Sequence, residues 1–326
     1  MKRVLAAALL MPLLLIAACS ADKTDKTTIS FGYIGDYNGS SLIAVANDQK
    51  LWDKYGLDVS TKVFTTGPVQ VTAMNAGDLD FGYIGPGALW EAASGQAKII
   101  AMNSLGNADR VIAQPGITDL SQLKGKKIGV PDGTSGDMIL SLALKKAGLT
   151  AQDVQRVPMD APTIVTAFDS GQIDAAGIWY PLINTIKVKK PNLVELAKDT
   201  DFADTASFPT AFIASNKAAG SASLSKVEQV LRAAMDYRAA NPDKTAELVA
   251  TLTKQPVDAV KADAANSQML DTKTADGYTA DGTFNKWLTA IGAYFVGSGK
   301  LKQNTDPSTY YLGTAFSSSV SSSGAK

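Results

Sequence analysis

Gly77-Asp78-Leu79-Asp80-Phe81-Gly82-Tyr83-Ile84-Gly85-Pro86 is echoed later in the chain by Gly171-Gln172-Ile173-Asp174-Ala175-Ala176-Gly177-Ile178-Trp179-Tyr180-Pro181. Each copy holds a Gly that can end a helix, a short apolar run of strand length and a Pro that can open the next helix. Any α/β chain can reuse such a unit; two similar lobes, each ending a strand near a common cleft, would also produce it, and open α/β sheets bind ligands at such strand ends. Outward from this pair, short apolar runs alternate with stretches of helical period, the pattern of an α/β protein with largely parallel strands. Strands are predicted at 29–34, 57–64, 81–84, 98–103, 110–113, 127–130, 155–158, 175–179 and 211–214. The first helix is expected to open after Asn38-Gly39-Ser40-Ser41, which offers capping oxygens, and to end by Gly56. Another is expected to open in Gly133-Thr134-Ser135-Gly136 and to stop at Gly148. Beyond Asn216 the pattern is almost wholly helical, with stretches at 226–240, 244–254, 257–266 and 282–296, and the Ser-rich 317–326 reads as a disordered tail.

The composition closes off several function classes. The chain has 326 residues, of which 45% are hydrophobic, enough for one large or two medium cores. Lys and Arg number 31, as do Asp and Glu, so no net field draws in nucleic acid. His is absent, which removes Ser-His-Asp and Cys-His triads and His-ligated zinc or haem. The single cysteine, Cys19, leaves no internal disulfide and no thiolate metal cluster. No cofactor or metal is expected.

That cysteine sits at the end of an address. Met1-Lys2-Arg3 is basic, 4–18 is an unbroken run of apolar or small residues, and a polar stretch follows Cys19 at once. The run is short for a spanning helix, which needs roughly 20 apolar residues. Ile16-Ala17-Ala18-Cys19 resembles the bacterial lipobox, in which the Cys is acylated before the signal peptide is cut away. The expectation is a signal peptide over 1–18, a lipidated Cys19 and a tether over 19–27, leaving an extracytoplasmic domain on the membrane. An uncleaved anchor, or a plain signal with a free thiol, is the alternative; it would leave a reactive Cys in an oxidising compartment.

The candidate binding residues sit where strands end. Gly85, Pro86 and Gly87, and Thr134, Ser135 and Gly136 with Gly133, combine a tight turn with the start of a helix, whose unpaired amides suit a sulfonate or carboxylate. Ordinary turn and cap chemistry produces the same clusters, and neither is a nucleotide loop. Asp109 falls where the chain passes from one lobe to the other; it can hold an ammonium, cap a turn or pair with Arg110. Trp179 and Tyr37, the latter beside Asn38, can wall a small ligand or pack in the core. Asp132 and Asp137 can cap or stay solvated, and would repel an anion beside them.

Taken together, Leu57-Asp58-Val59, the 73–82 segment, Leu105-Gly106-Asn107, Asp119-Leu120 with 123–131, the 171–176 and 178–181 segments and Asn285-Lys286 make the chain resemble the substrate-binding proteins of bacterial ABC importers, in the nitrate, sulfonate and taurine group and closest to taurine binders. The resemblance implies a two-lobed periplasmic-binding-protein fold of type II, each lobe a mixed sheet flanked by helices. One lobe would hold 28–108 and 211–316, the other 109–210. It implies a monomer that closes on a small solute and delivers it to a permease and its ATPase. It places binding on Tyr37, Asn38, 85–87, Asp109, 134–136 and Trp179. Two departures bear on the solute. Pro209-Thr210 is followed by Ala211-Phe212 where taurine binders carry an acidic residue, and Asp137 stands where they have His. A related fungal suicide enzyme consumes its own His and uses a Cys-rich motif, which this chain lacks. The functions left open are a receptor for aminosulfonates or aliphatic sulfonates, the same receptor for another small zwitterionic or cationic nitrogen compound, and a surface lipoprotein with an interaction role.

Overall fold

The computed structural model describes residues 26–204 and 206–319. Among them lie the strands β1 (Thr27–Ile34), β2 (Leu57–Phe64), β3 (Phe81–Ile84), β4 (Ala97–Gly106), β5 (Asp109–Ala113), β6 (Lys127–Val130), β7 (Gln155–Pro158), β8 (Ala175–Trp179), β9 (Val194–Lys198), β10 (Pro209–Ser215) and β11 (Ser267–Met269). They form a six-stranded sheet, β11-β4-β10-β3-β1-β2, and a five-stranded sheet, β7-β6-β8-β5-β9. β1 runs parallel to β2 and β3, and β6 parallel to β7 and β8. β10 is antiparallel to β3 and β4, β11 to β4, and β5 to β8 and β9. The largely parallel arrangement expected from the apolar runs is thereby corrected. A parallel neighbour needs a long crossover, and β5 and β10 are the strands on which the chain enters one sheet and returns to the other.

The two copies of the echoed segment occupy matching places. β3 and β8 each have a parallel neighbour on one side, β1 or β6, and an antiparallel one on the other, β10 or β5. Gly77 and Gly171, at φ +86° and +73°, make the turn out of the preceding helices, a conformation that costs Gly little. In the larger sheet the rings of Phe31 and Phe81 stack at 6.0 Å, with Phe212 edge-on to Phe31 at the same distance. Ile112, Ile164, Phe168, Ile178, Ile183 and Ile186 are wholly buried in the core of the smaller sheet. The C-terminal helices lie on the six-stranded side; Ser223–Ala240 and Pro242–Thr253 both pack on the helix Tyr37–Asp48.

Several boundaries differ from the expectation. β1 opens at Thr27, inside the expected tether, because Thr27 already pairs with Leu57. The first helix is Tyr37–Asp48, capped by Asp36, whose Oδ1 accepts the Gly39 N–H at 2.6 Å; the 38–41 stretch forms its first turn instead of preceding it. Ser317 and Ser318, assigned to a disordered tail, close the helix Gly313–Ser318, which is held by the buried Phe316 under the Arg232 guanidinium. β9, β11 and the helix Thr272–Ala280 were not predicted. The signal segment, Cys19, the tether up to residue 25 and residues 320–326 lie outside the described residues. No described helix is long and apolar enough to cross a membrane.

Candidate functional site

The strand ends of both sheets meet in one small cavity. It is walled from the six-stranded side by Ile34, Asp36 and Asn38 after β1, Thr66 and Gly67 after β2, and Tyr83, Gly85, Pro86 and Ala88 around β3. From the five-stranded side come Thr134 and Ser135 after β6, and Trp179 and Tyr180 after β8. Gly106, Ala108, Asp109 and Thr210 complete it from the two segments that join the sheets. This is the carboxyl-end crevice at which open α/β sheets take ligands. The cavity measures about 40 Å³, and one water needs roughly 10–15 Å³, so only a compact solute fits without the sheets parting.

The joining segments are braced against each other. Gly106 donates its N–H to the Phe208 carbonyl at 2.8 Å, and Asp109 N–H donates to Asp199 Oδ2 at 3.1 Å. Arg110 spends its guanidinium on Glu195 at 2.9 Å and on the carbonyls of Asn107 and Asp109 at 2.8 Å, with its plane over the Tyr180 ring. It therefore faces away from the solute space. Below the floor, Asn103 and Ser104 hold Asn38 at 3.0 Å, and the buried Arg238 donates to Asn103 Oδ1 at 2.8 Å and Ser41 at 2.9 Å. Burial pulls Arg238 down to about 10.

The cavity carries two buried carboxyls and no Lys or Arg among its lining residues. Burial pushes Asp109 up to about 7, against the Ser135 hydroxyl and the Arg110 charge, which pull it back. Its Oδ1 is buried without a hydrogen-bond partner. Burial also drives Asp36 well above the usual carboxylate range, with Asp263 and Asp109 adding to the shift and the Gly39 amide opposing it. Asp263, which accepts the Tyr37 N–H at 2.7 Å, rises to about 7 through burial. Burial and the neighbouring Asp109 lift Asp199 likewise. Among the described residues no group of acidic side chains is placed to hold a metal ion. The arrangement calls for a positive charge from the solute: an ammonium beside Asp36 and Asp109 would offset burial and let both ionise, with Trp179, Tyr180 and Tyr83 in the same wall.

An anionic group meets a different wall. The helix Ser135–Lys146 opens on the cavity, but the Thr134 hydroxyl is donated to the Pro131 carbonyl and Asp109 already stands by Ser135. The helix Gly67–Ala76 and the 3-10 turn Pro86–Ala88 open beside each other without a side-chain cap. They are so close that a Cβ on Gly67 would stand 2.9 Å from the Ala88 Cβ. Pro68 and Pro86 carry no N–H and the Ala88 N–H is donated to the Gly85 carbonyl at 3.1 Å, so the amides left to suit a compact anion are those of Thr66, Gly67 and Gly85.

Of the predicted site residues, Asn38, Gly85, Pro86, Asp109, Thr134, Ser135 and Trp179 come together in the cavity lining. Tyr37, Gly87 and Gly136 do not. Tyr37 is packed among Ala44, Ala246, Val249, Ala250 and Val260. Gly136 lies on β8, where a Cβ would stand 2.4 Å from the Gly177 carbonyl oxygen. Gly87 presses on the Thr134 backbone, which a Cβ would meet at about 2 Å, so it is a contact between the two sides of the cleft. Asp36 was missed, although an Asp two residues past a strand and just ahead of a helical period is a cap signature. Thr66, Gly67, Tyr83, Tyr180 and Thr210 were missed as well.

A family model described as "NMT1/THI5 like" matches residues 39–245. A Brucella abortus chain, named only as a binding protein, is 49% identical over 94% of this chain and 97% of its own length. The taurine-binding periplasmic protein of Escherichia coli is 32% identical over 40% of this chain and 42% of its own. The alkanesulfonate-binding protein of Xanthomonas axonopodis, solved with MOPS, has the same fold: its TM-score is 0.70 over 88% of this chain and 99% of that one, at 20% identity. These matches carry the periplasmic-binding-protein fold, two mixed sheets flanked by helices. The chain belongs to the NMT1/THI5-like family, and the relatives it matches here are named as binding proteins.

Proposed function

We propose that this protein captures a compact ammonium-bearing sulfonate, of the taurine type, between two lobes and hands it to an ABC permease and its ATPase. One lobe comprises 28–108 and 211–316, the other 109–210. The protein acts as a monomer, tethered through acylated Cys19 once the 1–18 segment is removed.

The observation that carries this reading is the pairing of Asp36 and Asp109 with the uncapped amides of Thr66, Gly67 and Gly85 in one cavity. The carboxyls take the ammonium and the amides take the sulfonate. Similarity to taurine and aliphatic-sulfonate binders supports the anionic half. A second reading, a solute with a positive charge and no anionic group, is favoured by the lack of Lys or Arg in the lining. Thermal unfolding with a panel of solutes tests both. Binding to the folded state raises the midpoint by mass action, about 2.7 kcal/mol at a hundredfold excess over Kd. Taurine raises it if the first reading holds. A rise with simple amines and none with taurine establishes the second, and no rise with either class contradicts both.

A further inference from the structure

Outside the solute cavity, a second set of polar groups joins the two sides of the cleft. Asp137, in the first turn of Ser135–Lys146, accepts the Gly133 N–H at 2.9 Å and Arg156 Nη2 at 2.8 Å, both from its own side. Its Oδ2 also lies 3.5 Å from Nζ of Lys300, which follows the helix Thr283–Gly297 on the six-stranded side. The Lys300 ammonium stands 5.8 Å from the Trp90 ring centre, and Trp90 Nε1 donates to the Gly133 carbonyl at 3.4 Å. Tyr294 donates its hydroxyl to the Met138 carbonyl, also at 3.4 Å. Gly133, Asp137, Met138, Arg156, Tyr294 and Lys300 line a polar cavity of about 220 Å³. Asp137, Lys300, Trp90 and Tyr294 do not touch the solute space, yet the turn they grip carries Thr134 and Ser135, which do.

We infer that the Lys300–Asp137 pair is a latch across the cleft, and that Lys300 is a positioning residue that retains the solute without contacting it. The inference rests on the reading of two lobes that close. Removing Lys300 leaves Asp137 with Arg156 and the Gly133 amide, but takes from the buried Glu91, on its own side, the charge that holds its carboxyl down against burial, which is why Lys300→Arg is needed beside Lys300→Met. The Lys300 side chain is 36% exposed and that of Asp137 8%. A partly screened pair of this kind contributes modestly, so its loss should speed release about fivefold. A latch away from the cavity weakens every solute by the same factor; a group at the solute discriminates among them.

The test uses Lys300→Met and the conservative Lys300→Arg in an otherwise full chain carrying Cys19→Ser, which leaves no native cysteine. Spin labels at Val63→Cys on β2 and Val188→Cys on the helix Leu182–Lys189, both exposed, report the distance between the two sides. Without solute, Lys300→Met should shift the distribution to longer distances than wild type, and Lys300→Arg should restore it. Taurine, or whichever panel solute binds, should dissociate about fivefold faster from Lys300→Met. Equal distributions and equal release rates for Lys300→Met and wild type overturn the latch, as does a loss confined to one solute. The closing reading fails separately: saturating solute would then leave the wild-type distance unchanged.

Discussion

Replacing Asp109 by Asn removes one charge from the cavity while keeping its shape, and the two halves of a zwitterionic solute should respond differently. A charge-assisted hydrogen bond contributes roughly 1.5–3 kcal/mol, which is about ten- to a hundredfold in affinity. Asp36 remains to face the ammonium, so the loss for taurine should lie at the lower end, about tenfold. Ethanesulfonate has no ammonium to lose and should bind Asp109→Asn as well as wild type or tighter. The empty protein should respond in the opposite direction. Asp109 rises to about 7 in the fold from an ordinary 3.8, so its contribution is fully present below the ordinary value and is lost as pH rises through 7. Asn lacks that loss, so at pH 8 the unliganded variant should melt no lower than wild type. Calorimetry with both solutes and thermal unfolding at pH 5 and pH 8 give the comparison. An equal loss for taurine and ethanesulfonate would refute the reasoning, since it would mean that Asp109 shapes the cavity and does not read the ammonium.

The other predictions concern protons, packing and the anchor. Because burial raises Asp109 and Asp263 to about 7 and Asp36 well above its ordinary range, taurine should bind more tightly as pH rises toward 8 and should release protons; calorimetry in buffers of different ionisation heat counts them, and pH-independent affinity would contradict the role of these carboxyls. Gly136→Ala drives a Cβ to 2.4 Å from the Gly177 carbonyl; overpacking of this kind costs about 1–3 kcal/mol, measurable by denaturant unfolding, and the displaced helix should also weaken solute binding. Arg238→Met strips donors from Asn103, Ser41 and the Leu270 carbonyl, and unmet buried acceptors cost about 1–3 kcal/mol, so it should unfold at lower denaturant with an unchanged charge preference for solute. Cys19→Ser should abolish fatty-acid labelling and membrane retention in cell fractions; retention without label would indicate a different anchor.

What was legible in the sequence is tied to local patterns. The strands β2, β3, β6, β7 and β8 stand at their predicted limits, and the apolar runs of β3 and β8 lie between the Asp-ended turns of the echoed segment and its Gly or Tyr-Pro. The echo of 77–86 in 171–181 marked β3 and β8, whose equivalent neighbours are the basis of the shared cleft. β9, with the sequence VELAK, mixes charged and apolar residues on a sheet edge, and β11 spans three residues, so neither carries a periodic signal. Strand-end turns led to several lining residues of the candidate cavity, but a helix turns about 100° per residue, so Asn38 and Ser135 reach it while their neighbours Tyr37 and Gly136 face packed interiors. Asp36 was visible as a cap, not as a site residue, because its role depends on Asp109 and Asp263 arriving from distant parts of the chain.

The central claim is that one cavity reads both charges of a compact zwitterion, and calorimetry at pH 8 with taurine, ethanesulfonate and ethylammonium tests it most directly. The account predicts that taurine binds and that each half alone binds at least about tenfold more weakly, since each forfeits a charge-assisted contact. Ethanesulfonate binding as tightly as taurine would contradict the part given to Asp36 and Asp109, and ethylammonium binding as tightly would contradict the part given to the amides of Thr66, Gly67 and Gly85.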